Sequence, residues 1–201
     1  MSGTLGALRL IERTAAHLCD ALNGAVVGLD HALPARAKDD TAAAGAAKAL
    51  TCRVKLLQAA WGPPDRPVSL DRIATLALGL PGNVAVDLSA LPPAAVFSPS
   101  SGRIVLNLLL LAADSLPQGG GIILAGSPED LFIRIIGSGA AWPSGTILCL
   151  ASEAEAQCAL TDGRDLQMAL TISLAHAANI RLSALLPPDM RTEPAILRLG
   201  R

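Results

Sequence analysis

Apolar residues recur at Leu5, Leu8, Ile11, Ala15, Leu18, Leu22, Val26, Leu29 and Leu33, in steps of three or four. A strand alternates with period two, so this spacing predicts one long helix carrying a single narrow seam. No proline interrupts it before Pro34, and a helix of about 28 residues is roughly 42 Å long. Pro34 and the polar run ARAKDD (35–40) end it, and from Thr41 to Trp61 the spacing returns at Ala47, Leu50, Val54, Leu57 and Trp61. Two antiparallel helices are expected. Such a hairpin buries only one side, so pairing with a second copy about a two-fold axis, as a four-helix bundle, completes the core. A homodimer is the expectation.

GPPDRP (62–67) breaks the pattern and divides the chain into a helical hairpin, 1–62, and a second domain, 63–201. In the second part Ser69 can cap a short helix over VSLDRIATLALGL, and NVAVDLS (83–89) alternates like a strand. SPSSGRIVLNLLLLAADSLPQ (98–118) reads as a helix closed by the three glycines that follow, and GIILAGSPEDLFIRIIG as two strands about a Gly-Ser-Pro turn. TILCLAS fits either a strand or a buried helical piece, whereas SEAEAQCAL reads as helical. A helix is expected from Asp162 to Ala178, with Leu166, Leu170 and Leu174 on one face, then strands IRLSALLP and AILRLG. The order predicts an α+β fold, a mixed sheet with helices on one face joined to the hairpin.

Composition narrows the ligands. Hydrophobic residues make up 51% of the 201, ample for a core, while aromatic residues are 2% and tyrosine is absent. That leaves little for base stacking, and a net charge of -1 gives no basic field for nucleic acid. The longest apolar run near the middle, IVLNLLLLAA, is too short to cross a bilayer, and no leader pattern precedes the first helix. A cytoplasmic protein with no membrane partner is expected. Cys19, Cys52, Cys149 and Cys158 have no metal-ligand spacing and read as buried reduced thiols.

HLCDALNGAV (17–26), KLLQAAWG (55–62) and RIVLNLLLLAADSLPQGG (103–120), in this order of elements, resemble the ChpT-type histidine phosphotransferases of bacterial phosphorelays. The resemblance implies a dimerisation hairpin followed by an α/β sandwich like the ATP-binding domain of histidine kinases. In the ATP-binding relatives an asparagine on the corresponding helix holds magnesium on the nucleotide phosphates, and Asn107 matches it. The glycine box of those enzymes has its nearest counterpart in IIGSGA (135–140), which lacks their adenine-binding aspartate, and no GxxxxGK[ST] loop is present. The resemblance therefore implies a kinase-like fold without ATP and without a cofactor of its own, magnesium being supplied by a response-regulator receiver partner.

The active residue of that family is a histidine on the first helix, after a cysteine and before an aspartate. Here Asp20 stands at that position, with Ala21 where the aspartate belongs. Asp20 is two residues from both Leu18 and Leu22, about 160° around the helix from each, and so faces away from the seam. His17 lies one turn earlier, about 60° around and roughly 4.5 Å along the axis, and is the candidate stand-in; His31 faces outward three turns on. His176, in SLAHAAN, reads as a helix-face residue. Two functions follow from the resemblance. One is phosphotransfer between receivers through His17. The other is a non-catalytic dimeric scaffold that docks receivers on the face around Arg13, Asp20, Asn23 and Gly24. An ATP-dependent kinase fails on the missing aspartate.

Overall fold

The computed structural model describes residues 41–163, 165–187 and 194–200, so the first helix and its candidate residues Arg13, His17, Asp20, Asn23, Gly24 and His31 lie outside the described residues. Helix α1, Thr41–Trp61, has the predicted bounds. Its C-terminal half buries Val54, Leu56 and Ala60, while Leu50 is 47% exposed and Leu57 and Trp61 are half-buried. The anticipated seam is thus one edge of a wider apolar arc. The arc widens because Leu56 and Ala60 join the core of the following domain.

Strand β1, Val68–Ser69, leads into α2, Leu70–Ala77, whose first turn is capped by the Ser69 hydroxyl accepting from the Arg72 amide at 3.3 Å. Strand β2, Val84–Ala90, follows, and β3, Val96–Phe97, pairs antiparallel with β1. This two-residue pairing leaves no periodic trace in sequence, since period two needs more than one repeat to show. The central helix α3, Pro99–Asp114, is buried at every residue from Ser101 to Ala113. Its unbroken apolar run suits a helix enclosed on all sides. Gly102 lets α3 approach β1, because a Cβ there would stand 2.5 Å from Val68 Cγ2.

Serine, not glycine, ends α3. The Ser115 amide and hydroxyl both return to the Leu111 carbonyl, at 3.0 and 2.8 Å, whereas Gly120 and Gly121 already belong to β4, Gly120–Gly126. Strand β5, Asp130–Ile136, completes the hairpin. The ambiguous TILCLA is helix α4, Thr146–Ala151, and α5 covers Glu153–Thr161. Helix α6, Leu166–Ala177, starts four residues later than expected, because Asp162 caps the end of α5 and Asp165 adopts a left-handed conformation (φ 43°). Strands β6, Arg181–Leu185, and β7, Ile196–Gly200, close the fold.

The five-stranded sheet runs β2-β4-β5-β7-β6, with β2 and β4 parallel and the other neighbours antiparallel. Ile122, Leu124, Leu131, Ile133, Ile135, Leu197 and Leu199 alternate inward to the helical layer. On the other face the Arg198 guanidinium donates two bonds to the Asp130 carboxylate, at 2.6 and 2.9 Å, and lies over the Phe132 ring. The mixed α/β domain expected from the sequence is therefore present, its helices on one side of the sheet. Among the described residues no helix is long and apolar enough to cross a membrane.

Candidate functional site

Asn107 is the residue that sequence reasoning singled out in this domain, and it is fully buried. It sits midway along α3, where α1 ends on one side and α6 begins on the other. Its Nδ2 donates to the Ala60 carbonyl at 2.5 Å and to the Arg103 carbonyl at 3.0 Å. Its Oδ1 accepts from Gln167 Nε2 at 3.1 Å. Gln167 also donates to the Asn107 carbonyl (3.2 Å) and to Thr171 Oγ1 (3.1 Å), and that hydroxyl donates back to the Gln167 carbonyl at 2.6 Å.

An asparagine amide has two donors and one acceptor oxygen, and here both donors and the oxygen are engaged. Buried polar groups are retained where they are satisfied, so this junction locks three helices together. Arg103 reinforces it, with Nε 3.3 Å from the Ala60 carbonyl and Nη2 3.4 Å from that of Trp61, holding carbonyls that the end of α1 leaves open. The same amide does not fit the role of a magnesium ligand on a nucleotide. Among the described residues no cluster of three His, Cys, Asp or Glu side chains could hold a metal ion.

Ile135 and Ile136 finish β5, and Gly137 is needed for packing, since a Cβ there would meet the Gly119 carbonyl at 2.6 Å and Leu116 Cδ2 at 3.0 Å. His176 is half-buried with Nε2 3.4 Å from the Cys149 carbonyl, as a helix-face residue should be. Cys52 is half-buried, Cys149 buried and Cys158 exposed, and none of the three is in a disulfide among the described residues, so the expected burial fails at Cys158. That cysteine lies on the outer face of α5.

Beside the junction, α1, α3 and α6 frame a groove of about 680 Å³ floored by Leu57, Trp61, Leu110, Leu166 and Leu170. Leu166, expected on one face with Leu170 and Leu174, is 56% exposed, whereas Leu174 is buried. The buried Trp61 Nε1 has no hydrogen-bond partner among the described residues. Asp114 stands at the end of the groove; burial pushes its carboxyl above the ordinary value, and the Arg53 charge pulls the other way. Sequence reasoning found Leu57 and Trp61 by spacing but missed Asp114, Gln167 and Thr171. Polar residues on helices announce themselves only when the helices they join are known.

In this α/β domain the central buried amide is committed to joining α1, α3 and α6. Residues 77–189 match the model of the histidine phosphotransferase C-terminal domain, more than half of the chain, and the protein belongs to that family. A solved bacterial phosphotransferase superposes with a TM-score of 0.56, covering 100% of this chain and 97% of that one at 16% identity. Identity so low carries the fold alone. No curated protein sequence matches the chain.

Proposed function

We propose that the protein is a ChpT-type histidine phosphotransferase of a two-component phosphorelay, which docks response-regulator receiver domains and passes phosphoryl groups without using ATP. The observation that carries this reading is the engagement of Asn107 on the Ala60 carbonyl and Gln167. With that amide closed into a helix junction, the domain of an ATP-using relative becomes a support for phosphotransfer chemistry done elsewhere on the chain. The division into a hairpin, 1–62, and a support domain, 63–201, belongs to the same proposal.

The chemistry is nucleophilic. An imidazole nitrogen attacks the phosphorus of a receiver aspartyl phosphate, a P–N bond forms as the P–O bond breaks, and the receiver's magnesium neutralises the charge in flight. His17 is the proposed nucleophile, with Arg13, Asp20, Asn23 and Gly24 as the docking face. The exposed Leu50 and half-buried Leu57 and Trp61 support a further helix along α1, and with it the four-helix bundle of a homodimer.

One residue favours a second reading. Asp20 stands where the family carries its phosphoacceptor histidine, so a scaffold that binds receivers without chemistry is the alternative. The two separate on His17→Ala in the full-length protein. Phosphotransfer through His17 predicts that the variant binds a receiver as the parent does yet takes up no label. Undiminished transfer by the variant excludes His17, and receiver binding with no transfer in either form establishes the scaffold.

A further inference from the structure

A second concavity lies on the other side of the α1 terminus, between α1, α2 and the start of α3, with a volume of about 440 Å³. Four cationic side chains line it, Lys55, Arg66, Arg72 and Arg103, against the single carboxylate of Asp65. Arg66 is paired with that carboxylate at 3.0 Å. Neither Lys55 nor the Arg72 guanidinium has an ion-pair partner among the described residues. In a chain whose net charge is -1, this is a local excess of positive charge that the fold has gathered from three elements.

The walls are stiff. Pro63, Pro64, Pro67 and Pro99 contribute to them, and fixed proline φ angles lower the ordering cost of binding. Arg103 is 7% exposed and anchored to the Ala60 and Trp61 carbonyls, so its charge is held in place instead of swinging in solvent. Guanidinium and ammonium groups lining one cleft suit the oxygens of a phosphate group. A cleft of this size and concavity admits a small molecule, whereas a folded acidic protein would meet only its rim.

We propose that this cleft binds a small phosphorylated anion, through Lys55 and Arg72 at its mouth and Arg103 at its base. The site is separate from phosphoryl transfer, because it uses neither His17 nor a receiver, and it can be assayed with the protein alone.

The test is isothermal titration of the full-length protein with inorganic pyrophosphate at constant ionic strength. The expected result is a dissociation constant below about 1 mM, weakened about tenfold or more in Lys55→Ala/Arg72→Ala through loss of both charge-assisted contacts. Both residues project from exposed positions, and an unchanged circular dichroism spectrum guards against unfolding. Arg198→Ala, which removes an arginine on the sheet's outer face, should bind as the parent does. Absence of binding at several times that concentration overturns the proposal, as does equal weakening by Arg198→Ala, which would mean general charge attraction. Displacement of pyrophosphate by polyglutamate at matched charge would also overturn it, in favour of an acidic peptide as occupant.

Discussion

The Ala60 carbonyl accepts from both Asn107 and Arg103, yet the two donors live in opposite surroundings. Asn107 lies in a sealed junction where each partner is another neutral group of the same chain. Arg103 lies at the base of an open cleft with further cations around it. A neutral amide can be closed away from water once its few bonds are made, whereas gathered charges cannot be sealed without a counterion. The junction is therefore structure, and the cleft is the proposed anion site.

The comparison breaks most readily at Asn107. Asn107→Leu removes the side-chain bonds to the Ala60 and Arg103 carbonyls and to Gln167 Nε2 at a fully buried position, and should cost about 2–4 kcal/mol of stability, read as a lower urea midpoint. A loss under about 1 kcal/mol would mean that the amide network does not hold the helices as described. At the cleft, Lys55→Ala/Arg72→Ala should change stability by no more than about 0.5 kcal/mol, whatever it does to anion binding. A thermal melt lowered as far as by Asn107→Leu would erase the contrast and make the cleft structural.

The smallest effect is expected at Asp114, at the far end of α3. Burial raises its carboxyl in the folded state, so the fold binds a proton more readily than the unfolded chain, and stability falls as pH rises through that range. Asp114→Asn should raise the melting temperature slightly at neutral pH, and the gain should vanish once the pH is low enough to protonate Asp114 in both states. A gain that persists unchanged in acid would point to a cause other than ionisation.

What could be read in advance follows the range of each interaction. Helix α1, the Ser69 cap, α3 and the β4–β5 hairpin rest on local periodicity or on adjacent residues, and these were legible. The β1–β3 pair, the start of α6 and the end of α3 depend on what packs nearby. Asn107 was legible as a position in a resemblance, but its partners Ala60 and Gln167 lie 47 and 60 residues away. The cleft went unseen for the same reason: Lys55, Arg72 and Arg103 form no motif along the chain and meet only when α1, α2 and α3 have packed. Asp114 read as one more polar residue near a helix end, and only the groove around it makes its carboxyl unusual.

The central claim is that phosphoryl groups reach this protein from receivers and not from ATP. The direct measurement supplies the full-length protein with magnesium and [γ-³²P]ATP in one reaction, and with a ³²P-phosphorylated receiver freed of nucleotide in another. Label appearing only in the second, acid-labile and alkali-stable as phosphohistidine is, would be the result this account predicts. Label from ATP alone, or a receiver that binds and keeps its phosphate, would contradict it.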